Sequence, residues 1–329
     1  MPSLQINAER DSSWPAIYCL LSGVSTLMGI LAPLLKPTPT GGEICPTRED
    51  LQDALGSEMY LAKRETFHVG ELPTHCEIYE HHVDSPILLF LPGIGTYGEL
   101  YAELLWNLSK KGFNVVAIDP PGHGYSGGER GVYTVESVQE AVSEVIDALE
   151  QRYSGPCYIY GFSIGALLAV AAAEHDERIK KVVCGTLLTT EVPPDLFHFL
   201  GWQWTWGSAM IFPAVRLPLS WLVDYDQLLA GHPAGRLINQ DPMLVLDYPF
   251  KTLSSMFGRK AGIMQRRYPF DVAIVQGDRD EVLSIGYGRR VVSEAEHPIE
   301  LITVPGEGHM MPLTAPPKLA GIIADWLKN

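Results

Sequence analysis

Ser163, Asp280 and His309 follow one another in that order along the 329-residue chain, each in or beside a glycine-containing loop. A serine hydroxyl is a weak nucleophile at neutral pH. A histidine that takes its proton, itself oriented by a carboxylate, makes it competent for acyl transfer. Ser163 lies in Gly161-Phe-Ser-Ile-Gly165, between the β-type run Cys157-Tyr-Ile-Tyr160 and the helix-forming run Ala166-Leu-Leu-Ala-Val-Ala-Ala-Ala173. Small residues two positions either side let strand and helix approach closely, so the hydroxyl projects from a tight turn, a nucleophile elbow. The N-terminus of the helix that follows favours negative charge at the same spot. Alone, the pentad is equally an ordinary strand-to-helix turn, and its partners decide.

The partners belong in loops after later strands, in the order Ser, acid, His. The run Asp271-Val-Ala-Ile-Val-Gln276 opens into Gly277-Asp-Arg-Asp280, and Ile299-Glu-Leu-Ile-Thr-Val304 opens into Pro305-Gly-Glu-Gly-His309. Among ten histidines His309 alone follows the last strand in a glycine-flanked loop, whereas His123 precedes the serine and His175 ends a helix. Asp280 is preferred to Asp278 because it lies far enough past Gly277 to turn back towards His309, while Asp278 suits capping of the turn. An oxyanion needs two backbone donors. They are expected from Ile164, just after the nucleophile, and from Ile94 in the loop Pro92-Gly-Ile-Gly95, where two glycines allow close approach.

These positions require a particular scaffold. Strand-like pieces near 61–69 and 74–81 read as an antiparallel hairpin. Short apolar runs at 86–91, 114–119, 157–162 and 181–188 then alternate with helix patterns near 100–111, 134–152 and 163–175, and the alternation resumes at 271–276, 285–293 and 299–304. Eight strands with crossover helices predict an α/β architecture, a mostly parallel eight-stranded sheet covered on both faces. Residues 190–270 break the rhythm with Trp202, Trp204, Trp206, Phe212 and Trp221, and read as a cap inserted over the strands' carboxyl ends. The core then comprises 43–189 and 271–329.

At the N-terminus, residues 12–35 carry no charge, and large apolar residues recur there at three-and-four spacing. Bounded by Pro15 and Pro33, a helix of about 17 residues spans roughly 26 Å, at the short limit for a bilayer. Packing on the protein's own body, lying in a lipid interface and spanning a bilayer all stay open. No positive n-region marks a signal peptide. A proline- and glycine-rich linker closes this unit at residue 42.

A net charge of −15 argues against nucleic acid as partner and against electrostatic attachment to an anionic membrane. Five scattered cysteines, without C-x-x-C spacing, fit thiols in a reducing compartment such as the cytoplasm rather than a disulfide framework or zinc site.

The ordered motifs resemble the α/β-hydrolase fold. Within it, Asp119-Pro-Pro-Gly-His-Gly-Tyr-Ser-Gly-Gly-Glu-Arg130, the elbow, Asn239-Gln-Asp-Pro-Met243 and Gly308-His309 resemble the monoacylglycerol lipase and lysophospholipase group, also called serine aminopeptidase-like hydrolases. The resemblance covers roughly residues 60–329. It implies Ser163, Asp280 and His309 as triad, Ile94 and Ile164 as oxyanion donors, and a lipid-accepting cap; the chemistry expected of this chain needs no metal or organic cofactor. Pro92-Gly93 stands where that group usually has His-Gly, and Gly95-Thr-Tyr97 where its glycerol-ester members have Gly-Glu-His, which leaves the head group open. An elbow serine, unlike the aspartate of haloalkane dehalogenases and most epoxide hydrolases, implies an acyl-enzyme.

The expected activity is hydrolysis of an apolar acyl or aromatic ester, with Phe162, Trp202 and Trp206 as candidate substrate contacts and membrane-surface contact through residues 15–35 and the cap. Two other readings stand beside it. One is an amidase or aminopeptidase, for which Asp195, Asp224, Asp226, Asp241 and Asp247 are candidate amine anchors. The other is a non-catalytic homologue that binds a small apolar ligand.

Overall fold

The computed structural model describes residues 47–221, 223–229 and 231–329. The expected apolar helix and linker of residues 1–42 lie outside them. Helices α1 (Arg48–Leu55) and α2 (Glu58–Leu61) precede the hairpin β1 (Glu65–Val69) and β2 (Thr74–Tyr79). The first hairpin strand thus starts later than its sequence pattern suggests. Residues 58–61 turn instead, with Ala62 N–H bonded to Glu58 O, and this buries Leu61 in the same apolar cluster as Leu51.

The alternating region follows, with β3 (Ile87–Leu91), α3 (Ala102–Lys110), β4 (Asn114–Ile118), α4 (Val135–Glu150), β5 (Cys157–Phe162), α5 (Ile164–His175) and β6 (Ile179–Gly185). The chain then leaves the sheet to form α6 (Leu196–Ile211), β7 (Arg216–Pro218), α7 (Tyr225–Leu228), α8 (Pro233–Gln240), β8 (Asp247–Pro249) and α9 (Phe250–Gly258). It returns through β9 (Asp271–Gly277), α10 (Ile285–Glu294), β10 (Ile299–Val304), α11 (Met311–Thr314) and α12 (Pro316–Lys328).

Eight strands form one sheet in the order β1-β2-β4-β3-β5-β6-β9-β10. The β1–β2 and β2–β4 pairs are antiparallel and every later pair is parallel. This is the α/β-hydrolase arrangement that the motif order predicts. Its central strands read as unbroken apolar runs because both faces are covered. In β3, Ile87, Leu89 and Leu91 enter one core cluster with α4 and α5, while Leu88 and Phe90 enter the other with α3 and α12, as a side-chain period of two requires. Cys76, Cys157 and Cys184 are buried, free thiols.

Between β6 and β9, β7 and β8 pair antiparallel as a separate ribbon. Helix α6 packs on α9 through aromatic contacts: Trp202 stacks on Phe257 with ring centroids 6.0 Å apart, and Trp204 meets Phe250 edge-on at 5.1 Å.

Candidate active site

Strand β5 ends at the elbow. Ser163 has φ 55° and ψ −122°, a conformation that L-residues avoid and that the surroundings must enforce. The enforcement is visible. Ser163 N–H donates to Gly185 O of β6 at 2.8 Å, and every residue of α5 from Ile164 to Ala173 is buried. A Cβ on Gly161 would lie 2.1 Å from Gly165 O, and one on Gly165 would lie 2.3 Å from Leu91 O. Strand and helix therefore pass at a distance that only glycine permits at both positions.

The loops after β9 and β10 bring Asp280 and His309 together. His309 Nδ1 lies 3.0 Å from Asp280 Oδ2, and both residues are buried. Asp280 Oδ1 accepts the N–H groups of Val282 and Leu283, each at 2.9 Å, while Oδ2 also accepts the hydroxyl of Thr186 at 2.8 Å. Burial alone would raise the Asp280 pKa. The charge and hydrogen bond of His309, with the Leu283 amide and Thr186 hydroxyl, outweigh burial and hold the carboxyl below its ordinary value. A carboxylate accepting from Nδ1–H leaves His309 Nε2 with its lone pair free for a proton. Asp278 instead accepts Gly306 N–H at the surface, the turn role that its position suggests.

The loop after β3 carries Ile94. Gly95 has φ 74°, and a Cβ there would fall 2.7 Å from Val245 O. Gly93 O accepts both the N–H and the hydroxyl of Thr96, at 3.2 and 2.8 Å. Ile164 is the first residue of α5, so its N–H has no intrahelical acceptor. Of the three candidate substrate contacts, Phe162 adjoins the histidine, with ring centroids 5.1 Å apart. Trp202 is taken up by packing against Phe257, and Trp206 is 55% exposed on α6. Among the described residues, no group of three or more His, Cys, Asp or Glu could hold a metal ion.

A family model described as Serine aminopeptidase, S33, matches residues 84–313. The chain belongs to that family. Members of the fold with solved structures resemble this S33-family chain closely in architecture. A monoacylglycerol lipase of Paleococcus ferrophilus superposes with a TM-score of 0.62 at 21% identity, covering 77% of this chain and 98% of that one. A soluble variant of the Saccharomyces cerevisiae monoglyceride lipase, in complex with a substrate analogue, gives 0.64 at 17% identity, covering 80% and 94%. At such identities the likeness is one of fold. Serine hydrolase BPHL of Mus musculus is 28% identical over 145 residues, 43% of this chain and 48% of that protein. A Mycobacterium phage D29 protein named for a non-heme haloperoxidase is 32% identical over 97 residues, 29% of this chain and 34% of that protein. The matches thus span about a third to a half of these curated relatives.

Residues that the sequence motifs do not disclose also meet these loops. Thr186 has φ 65°, which ends β6 earlier than its apolar pattern suggests and turns the hydroxyl onto Asp280. Tyr97 donates to Asp241 at 2.7 Å, and Tyr225 and Tyr248 also reach the loop after β3. Asn239-Gln-Asp-Pro-Met243 stood out only through the family resemblance, and neither Tyr225 nor Tyr248 carried a sequence signal of its own.

Proposed function

We propose that the protein is a serine carboxylic-ester hydrolase that cleaves an apolar ester through an acyl-enzyme on Ser163, with residues 190–270 capping the site. The observation that carries this reading is the 3.0 Å His309–Asp280 hydrogen bond, formed by the loops after β10 and β9 in the fold that presents Ser163 after β5.

In this reading Ser163 Oγ attacks the ester carbonyl as its proton passes to His309 Nε2, and the carbonyl electron pair moves to oxygen. The N–H groups of Ile94 and Ile164 receive that oxyanion. The carbon–oxygen bond to the alcohol then breaks, the leaving oxygen takes the proton from His309, and the acyl group stays on Ser163. Water repeats the sequence with His309 as base, releasing the acid and restoring the serine. Asp280 remains ionised throughout and holds the imidazole in one tautomer. Protons balance without a cofactor.

Phe162 beside His309, and the side chains of Leu219 and Leu244 beside Gly95, make the surroundings of the site apolar, which suits an acyl or aryl ester. The lipase names of two structural neighbours agree with that class. The family description favours amide cleavage as a second reading. Its amine anchors are largely engaged: Asp195 caps α6, Asp224 caps α7, Asp241 accepts Tyr97, and Asp247 pairs with Arg216. Rates on matched aryl esters and aminoacyl arylamides separate the two.

The decisive experiment is fluorophosphonate labelling alongside hydrolysis of p-nitrophenyl butyrate. Ser163→Ala should abolish labelling and lose about three to six orders of magnitude in turnover, and Asp280→Asn about four, with melting temperature retained. An alanine variant with undiminished turnover removes the assignment, and a wild-type protein that takes no label leaves the non-catalytic homologue.

A further inference from the structure

Ile94 and Gly95 share one peptide unit, and both of its polar groups are bonded to tyrosines of the 190–270 segment. Tyr225 donates its hydroxyl to Ile94 O at 2.6 Å. Gly95 N–H donates to the Tyr248 oxygen at 2.8 Å. Next along the chain, Gly95 O accepts Val245 N–H at 2.9 Å. Tyr225 and Tyr248 are buried, so neither bond competes with water.

The Tyr248 bond is itself directed. Its hydroxyl lies 2.7 Å from His123 Nε2, and His123 Nδ1 lies 3.1 Å from Pro121 O. Since the tyrosine oxygen accepts Gly95 N–H, its own proton goes to Nε2, and the imidazole donates Nδ1–H to the carbonyl. Burial, first, pushes the His123 pKa down to about 4, so the ring is neutral at pH 7 and can accept that proton. The chain Gly95 N–H, Tyr248 O–H, His123 Nδ1–H and Pro121 O then has one donor sense throughout, satisfying every member.

Rotation of the peptide plane between 94 and 95 is thus blocked at both ends by side chains from outside the sheet. The preceding plane, which bears the Ile94 N–H, has its carbonyl, Gly93 O, held by Thr96. With one plane fixed by Thr96 and the next by the two tyrosines, the direction of the Ile94 N–H is set from both sides.

We infer that Tyr225 and Tyr248 are positioning residues for the oxyanion hole, so that the 190–270 segment completes the catalytic machinery as well as covering it. The kinetic consequence rests on the hydrolase reading above; the clamp itself does not.

Tyr225→Phe, Tyr248→Phe and the double variant test it in the full chain, with hydrogen exchange of the 93–97 amides and kinetics on p-nitrophenyl butyrate and its thionoester. Each single change should lower kcat on the oxygen ester about tenfold with KM within about twofold, the loss expected when one hydrogen bond of ordinary strength stops supporting the site. Sulfur accepts hydrogen bonds weakly, so thionoester turnover should fall less and the oxygen-to-sulfur rate ratio should shrink by several-fold. General destabilisation would lower both rates alike. Exchange at 93–97 should quicken in both variants. If wild type is active but the variants keep both kcat and the rate ratio, the inference fails and the hydrolase reading survives. If wild type neither turns over nor takes a fluorophosphonate, the hydrolase reading fails and exchange alone decides: faster exchange retains the clamp, unchanged exchange removes it. Because Tyr225 does not touch His123, its variant keeps the test valid should the Tyr248 change impair folding.

Discussion

Asp280 receives four hydrogen bonds, two from its own loop, one from Thr186 just past β6 and one from His309 after β10, and the one from Thr186 has no sequence signature. A hydrogen bond to a charged acceptor contributes about 1.5–3 kcal/mol, so Thr186→Val should lower kcat roughly tenfold or more by loosening the carboxylate that orients His309. KM for an aryl ester should change little, since Thr186 is argued to act through Asp280, and Thr186→Ser should restore most of the rate. Retained kcat in the valine variant would show that three donors suffice. The turn at Ser163 and the pairing of Asp280 with His309 were legible because each residue stands at a strand end within a recognisable glycine context. Thr186 was not, because its contact spans 94 positions and depends on a left-handed backbone turn that no local motif announces.

Elements impose their own constraints around those residues. A Cβ on Gly165 would meet backbone oxygens of Leu91 and Pro92 at 2.3 and 2.5 Å, so β3 or α5 must shift to admit it. Gly165→Ala should therefore cost about 3 kcal/mol, near the upper end of overpacking penalties, and lower the melting temperature by roughly 4–5 °C. Gly207 in α6 meets nothing within 4 Å, and Gly207→Ala should instead raise stability by about 0.5–1 kcal/mol. The eight strands of the main sheet and the helices that connect them could be read from alternating apolar runs, whereas the β7–β8 ribbon and helices α6 to α9 could not, and the boundaries at α2 and the end of β6 answer to burial of Leu61 and the turn at Thr186. Asp119, just past β4, adds a pH dependence. Burial, then the Glu77 charge, hold its carboxyl well above the ordinary range, although it accepts the amides of Gly98 and Tyr125. The folded state then binds a proton that the unfolded chain releases near pH 4, so this group's contribution to stability declines as pH rises beyond that point. His123, with its pKa lowered to about 4, has the opposite sign, its contribution growing as pH rises from about 4 towards 6.5. Comparing Asp119→Asn with wild type cancels the histidine: urea midpoints at roughly pH 5 and 7.5 should show the asparagine variant losing less stability, or gaining more, over that interval. Parallel pH profiles would refute this role for Asp119.

At the scale of the whole molecule the surface is uneven. A chain of net charge −15 nevertheless exposes Leu196, Phe199, Leu200, Met210 and Ile211 on α6, with Trp206 among them. Their spacing of three, four, six and ten or more residues keeps them largely along one side of the helix. Among the described residues no helix is long and apolar enough to cross a membrane, so contact through α6 would be interfacial. Composition disclosed the charge and the apolar richness of this segment, whereas the sorting into Trp202 and Trp204 packed against α9 and Trp206 exposed required the tertiary contacts. If the proposed substrate is an apolar ester held in lipid, the negative charge sets which surface suits the protein: zwitterionic vesicles attract through apolar burial alone, and anionic ones add repulsion. Full-length protein should therefore float with phosphatidylcholine liposomes more than with phosphatidylserine-rich ones. Leu200→Asp with Met210→Asp on α6 should reduce flotation several-fold while leaving turnover of a dissolved short-chain ester within about twofold, because both side chains are exposed and each buried apolar group contributes about 1.5–3 kcal/mol to partition. Equal flotation of variant and wild type would remove α6 from the contact, and a chain beginning at Pro37 that floats as well as the full chain would remove residues 15–35 from it.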